Sequence, residues 1–256
     1  MLNKKKEPII VYWAPEAILE NEHQQVMLDI ALRPVMADIQ KRRNKIFTHG
    51  LGNREDPHSN GYHLCTALHE LTKNMFYIKA PFSVNIEFDD LGKIKKDQSY
   101  SGWFYNRASS LKNSNSADFD LCYMLFCEEP LEVSFTPPYL HQTSQPEYGY
   151  VSAVKWDISK WFRPFVLIYQ LWEGKKNIYF EKDEPLAYLT FNTDRKIIFK
   201  EYKLNQTIIN IANTCLRHKT IIPLEPMQKL YDRFVFTGIK KRLISEIKKN
   251  LIEDLT

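Results

Sequence analysis

Between Phe165 and Leu204, apolar runs and turn-forming residues alternate in blocks so short that few folds can hold them. The runs are Phe165–Trp172, Asn177–Glu181, Leu186–Phe191 and Ile197–Leu204, and the spacers carry Glu173-Gly174, Lys182-Asp183-Glu184-Pro185 and Asn192-Thr193-Asp194-Arg195. These are tight-turn compositions. Parallel neighbours need a crossover of about a dozen residues or more, and no such length is present. The four strands must therefore pair antiparallel or switch between the sheets of a sandwich. Val166–Trp172 is apolar at nearly every position, which predicts a strand lying deep and covered on both faces.

The same language recurs upstream. Ile9–Trp13 is a short apolar run ahead of Pro15 and predicts an initial strand. Val84, Ile86 and Phe88 alternate with polar residues before an Asp90-Leu91-Gly92 turn, and Leu131, Val133 and Phe135 alternate with Glu132 and Ser134. Leu121–Cys127 is apolar on both faces. Val26, Met27, Ile30 and Ala31 suit one helix face before Pro34, whereas Asn44–Tyr62 has loop composition. About ten short strands without helices between them predict a sandwich, jelly roll or similar compact β-fold.

After Leu204 the period changes. Asn205 is a candidate N-cap for a helix carrying Ile208, Ile209, Ala212, Cys215 and Leu216, and Pro226 opens a second through Leu230, Tyr231 and Phe234. A third runs from Ile239 with Leu243, Ile244, Ile247, Leu251 and Ile252 in one stripe. The fold class is thus mainly β (α+β): an antiparallel β-sandwich or jelly-roll-like core over residues 1–204. A helical segment over residues 205–256 packs on that core or on a neighbouring subunit.

With 256 residues, 44% hydrophobic and 13% aromatic, the chain supports a real core, and a net charge of +4 excludes disorder as its dominant state. Eight glycines exclude a collagen-like fibre. No apolar run approaches the ~20 residues of a membrane helix, and Met1–Pro8 is charged without a following apolar stretch, so neither a membrane partner nor a signal peptide is expected. Thirty-five Lys and Arg against 31 Asp and Glu fall short of the bias of a dedicated nucleic-acid binder. The basic residues Lys240, Lys241, Arg242, Lys248 and Lys249 read as a solvated helix face. Cys65, Cys122, Cys127 and Cys215 form no C-x-x-C pair, which fits free thiols in a reducing, cytoplasmic setting.

Catalytic signatures are missing: no Gly-rich phosphate loop and no nucleophile elbow occur. Three sets of residues remain as candidates. His49, His58, His63 and His69 lie close in sequence with Glu55, Asp56 and Glu70, and imidazoles that converge suit zinc, iron or nickel. Their spacing matches no ligand motif, and a polar surface loop explains the same letters. Cys65 beside His63 raises a thiol–imidazole pair, but a packed cysteine is the simpler expectation. Beyond that metal, no cofactor is specified.

The second set is Trp156, Asp157, Trp161 and Arg163, at the entrance to the most apolar strand. Such aromatics form a stacking platform for a base or sugar ring with Arg163 on a phosphate or carboxylate. Alternatively they form a corner in which both tryptophans cap the sandwich and Asp157 holds the turn. The third set is Tyr139 and His141 in Thr136-Pro137-Pro138-Tyr139-Leu140-His141, a stiff surface loop or a pocket rim.

Val154-Lys155-Trp156-Asp157 through Trp161, Phe180-Glu-Lys-Asp-Glu-Pro-Leu-Ala-Tyr-Leu189, Leu64-Cys-Thr-Ala67 and Lys73-Asn-Met-Phe-Tyr-Ile-Lys-Ala-Pro81 resemble a family of proteins of unknown function from marine tailed phages and bacteria. The likeness covers most of residues 9–204. It implies a β-rich domain and carries over no catalytic residue. Ile178–Phe191 also resembles the strand–turn–strand of deoxyuridine triphosphatases, without that family's serine-containing phosphate motif or Gly-rich tail.

These readings lead to one expectation: a non-catalytic, phage-encoded β-sandwich that works by binding or assembly, as a homo-oligomer or with other phage proteins, in the host cytoplasm or the particle. The alternatives are a nucleotide or sugar enzyme with its pocket near Trp156–Arg163, and a metal-dependent jelly-roll oxygenase using the His49–His69 cluster.

Overall fold

The computed structural model describes residues 7–15, 38–39, 65–80, 83–89, 95, 116–221 and 225–252. Their strands are β1 (Ile9–Pro15), β2 (Met75–Lys79), β3 (Val84–Glu87), β4 (Ser116–Cys127), β5 (Glu132–Thr136), β6 (Gly149–Val151), β7 (Val154–Asp157), β8 (Pro164–Leu171), β9 (Asn177–Phe180), β10 (Pro185–Phe191) and β11 (Ile197–Glu201). The helices are α1 (Thr66–Leu71), α2 (Gln206–Ile221), α3 (Met227–Phe236) and α4 (Ile239–Lys249). The helical pattern expected around Val26–Ala31, the Asp90–Gly92 turn and the Asn44–Tyr62 loop fall outside the described residues.

Three sheets form. The first has the order β11-β1-β4-β8-β6, the second β2-β10-β5-β7, and the third is the β3-β9 ribbon. Every pairing is antiparallel except β1 with β11, which run parallel with Ile9 opposite Ile197. The four runs that dominate the sequence pattern become β8, β9, β10 and β11, and no two of them pair. They enter the first, third, second and first sheets in turn. Of the two arrangements that short connections permit, the chain takes the switch between sheets at every step. The turns match their compositions: Gly174 at φ 78° and Asp183 at φ 65° supply left-handed residues where the chain reverses.

Sheet alternation makes two cores. Ile9, Val11 and Trp13 of β1 and Leu121, Tyr123 and Leu125 of β4 face the second and third sheets. Across that gap Phe76 meets Phe199 at 5.7 Å, Phe119 meets Phe180 at 5.5 Å and Phe135 meets Phe165 at 5.5 Å, all edge-on. Tyr12, Ala14, Met124 and Phe126 point the other way and pack with Ile208, Ala212, Leu230, Phe234, Leu243 and Ile247 of the helices. The C-terminal segment therefore docks on the sheet of its own chain. The first sheet is sandwiched between helices and strands.

The expectation that Val166–Trp172 is covered on both faces needs correction. Leu167 and Tyr169 are buried, but Val166, Ile168 and Gln170 are only half-buried and Trp172 is 45% exposed. Two-sided burial belongs instead to β1 and β4, because the helices cover those strands.

Candidate functional site

Tyr139 and His141 are brought together on the outer face of the second sheet. Met75 and Tyr77 of β2 and Tyr188 of β10 project outward there, since their neighbours Phe76 and Leu189 point into the core. The Pro137–Pro138 segment folds over them, and Tyr139 packs on Tyr188 at 5.2 Å while His141 lies 5.3 Å from Tyr77. The Tyr188 hydroxyl accepts the Leu140 N–H at 2.8 Å and stands 2.6 Å from His141 Nδ1. A neutral imidazole completes this contact in either tautomer, accepting the hydroxyl proton at Nδ1 or donating Nδ1–H to the second lone pair of the oxygen. Burial holds the His141 pKa below its ordinary value and raises that of Tyr188. Tyr188 is fully buried, and the pair acts as a clamp on the loop.

The clamp is one of several along residues 137–148. Glu184 accepts hydrogen bonds from the backbone and hydroxyl of Ser144 and from the Glu181 N–H. Gln145 is buried, donating through Nε2 to the Pro185 carbonyl at 2.7 Å, and its backbone carbonyl accepts the Tyr169 hydroxyl at 2.8 Å. The Trp172 indole donates to the Pro146 carbonyl at 2.8 Å.

Trp156, Asp157, Trp161 and Arg163 divide between different surroundings. Trp156 packs against Phe135 at 5.2 Å and Phe165 at 5.1 Å, at the margin of the sheet-to-sheet core. Trp161 is buried in the helix-side core against Tyr231 and Phe234. The two indoles thus form no joint platform. Asp157 Oδ1 accepts the N–H groups of Leu131 and Ser159, and Oδ2 lies 3.2 Å from Lys160 Nζ. Burial alone would raise its pKa, but these partners outweigh it and hold the carboxyl below its usual range. Asp157 thus holds the turn, while the two tryptophans sit in different cores and do not cap the sandwich together. Arg163 is half-buried beside Cys215.

Of the histidine cluster, His69 stands exposed on α1, and His49, His58 and His63 lie outside the described residues. Among the described residues no three His, Cys, Asp or Glu side chains converge as metal ligands would. Cys65, expected to be packed, is exposed where α1 starts. Cys127 and Cys215 are buried free thiols whose pKa values burial pushes up to about 11 and about 12, so they stay protonated and inert. No described helix is long and apolar enough to cross a membrane.

A further cluster escaped the sequence reading. At the β6 end of the first sheet, which no other described strand pairs, Tyr150 on β6 and Trp172 just after β8 place their rings 4.8 Å apart at 41°. Tyr150 is 41% exposed. Alternation sends Val151 inward, so Tyr150 leaves by the opposite face together with its cross-strand partner Gln170. Nearby, Tyr148 faces Tyr179 at 6.4 Å and Lys175 Nζ stands 5.5 Å above its ring. The available signal was slight, since β6 is only three residues long and Tyr148, just before it, packs on Tyr179 and not beside Tyr150. The apolar run ending in Trp172 masked it by suggesting burial.

The chain matches no family model, no curated protein and no solved structure.

Proposed function

We propose that this chain is a non-catalytic binding or assembly module, encoded by a phage, whose contact surface is the Tyr150–Trp172 edge. The observation that carries this reading is an exposed pair of large aromatics held in a fixed geometry. The Trp172 indole is tied to Pro146, and the loop bearing Pro146 is tied down by the His141–Tyr188, Ser144–Glu184 and Gln145–Pro185 contacts. Exposed Trp and Tyr are the side chains most often used as contact anchors. A surface ordered in advance loses little entropy on binding. The likeness to phage proteins supports a place in the infected cytoplasm or on the particle, among copies of itself or other phage proteins.

Light scattering on the purified chain and mass spectrometry of purified particles test this. The chain is expected in an oligomer or in particles, and Tyr150→Ala is expected to remove it from them without lowering Tm. A monomer absent from particles overturns the proposal.

A further inference from the structure

We infer that Tyr150 and Trp172 form a stacking site for the ring face of a neutral sugar, with the Gln170 side chain as a hydroxyl contact. The inference rests on reading this edge as the working surface, and it names the class of ligand.

Three features point to a sugar over other flat or aromatic-seeking ligands. The Trp172 indole N–H is already committed to the Pro146 carbonyl, so the ring offers its π-face and no donor. The C–H face of a pyranose needs only that π-surface. The charges flanking the pair in sequence are Glu147, Glu173, Lys175 and Lys176, which cancel, and Lys175 is engaged over Tyr148. A strand of nucleic acid requires a cationic track beside its stacking rings, and that track is missing among these residues. Gln170 lies directly across from Tyr150 on the same face and two residues before Trp172. Its amide both donates and accepts, as a sugar hydroxyl does, and suits an uncharged ligand better than an anion.

The Tyr150 position is set by the backbone. Gly149 lets β6 approach β8 so closely that a β-carbon there would lie 2.0 Å from the Gln170 carbonyl oxygen. This brings the Tyr150 ring beside Gln170 and Trp172.

The test uses the full chain, titrated calorimetrically with four neutral hexasaccharides (cellohexaose, maltohexaose, laminarihexaose and chitohexaose), with a twelve-nucleotide oligothymidylate and with a polyproline peptide. At least one hexasaccharide is expected to bind. Trp172→Ala and Tyr150→Ala should each weaken that binding by about tenfold or more, with Tm little changed in Tyr150→Ala and lowered in Trp172→Ala by loss of the indole bond to Pro146. Should Trp172→Ala disturb the loop, Tyr150→Ala and Gln170→Ala remain as handles. Silence from all four hexasaccharides, or binding unaffected by these substitutions, overturns the inference. If they are silent while particle association still depends on Tyr150 and Trp172, the sugar assignment fails and the binding module stands.

Discussion

A β-carbon on Gly149 would lie 2.0 Å from the Gln170 oxygen and 2.7 Å from the Tyr169 ring, both fixed parts of β8 and the core. Neither neighbour can yield cheaply, so Gly149→Ala is expected to force β6 away from β8 and to cost about 1–3 kcal/mol. At this chain length that is a Tm loss of roughly 2–4 °C per kcal/mol. Tyr150→Ala, one residue on but facing outward, should stay within about 0.5 kcal/mol. Thermal melts of the two variants decide the matter, and equal losses would contradict the close-approach account. His141 supplies a second prediction at this scale. Burial depresses its folded-state pKa, so its contribution to stability is present above the ordinary value of about 6.5 and is lost as pH falls from there through the depressed one. Tm should therefore drop as pH falls below about 6.5. In His141→Phe that drop should shrink, because the titrating group is gone while the other histidines remain as before.

Asn205 shows how an element is made from one side chain. Its Oδ1 accepts the Ile208 N–H at 2.9 Å, capping α2, and its Nδ2 donates to Glu246 of α4 at 3.0 Å. Asn205→Ala is expected to cost about 1–2 kcal/mol, read as a denaturant midpoint shift at constant slope. Asn205→Asp keeps a capping oxygen but sets a carboxylate against Glu246, so it should recover only part of the loss. This cap was legible in the sequence, as were most strands and the three C-terminal helices, because period and turn chemistry are local properties; β2, β6, β7 and α1, all short, were not. The sheet that each strand enters was not legible. A spacer such as Lys182–Pro185 is long enough for a hairpin and equally for a step between stacked sheets, and only packing of Phe180 and Leu186 into the common core chooses. For the site, Tyr139 and His141 were identified as residues of a stiff loop, but their partner Tyr188 lies 47 residues from His141 and could not be inferred. Trp172 went unnoticed because its apolar run predicts burial, and exposure at a sheet edge depends on how far the helices extend across that sheet.

Across the whole molecule, the first sheet is the layer on which everything else depends, since strands cover one face and helices the other. Tyr202, fully buried, pairs with Leu251 just beyond α4, and Tyr12 and Lys248 both donate to the Glu128 carboxylate, so α4 and the residues just after it are pinned to the first sheet. The division of the sequence at Leu204 is thus a change of period within a shared core. Removing residues 205–256 would expose Tyr12, Met124, Phe126, Trp161 and Phe162 together. Each large apolar side chain is worth about 1.5–3 kcal/mol on burial, while a whole domain holds only about 5–15 kcal/mol of net stability. A chain ending at Leu204 is accordingly expected to lose its cooperative melt, to bind a hydrophobic dye such as ANS and to aggregate. Adding residues 205–256 back as a separate chain should restore solubility and the transition, since the stripe of Leu243 and Ile247 meets a preformed surface. Should the shortened chain instead melt cooperatively as a monodisperse species, the helices would be an accessory to the sandwich and not its third layer.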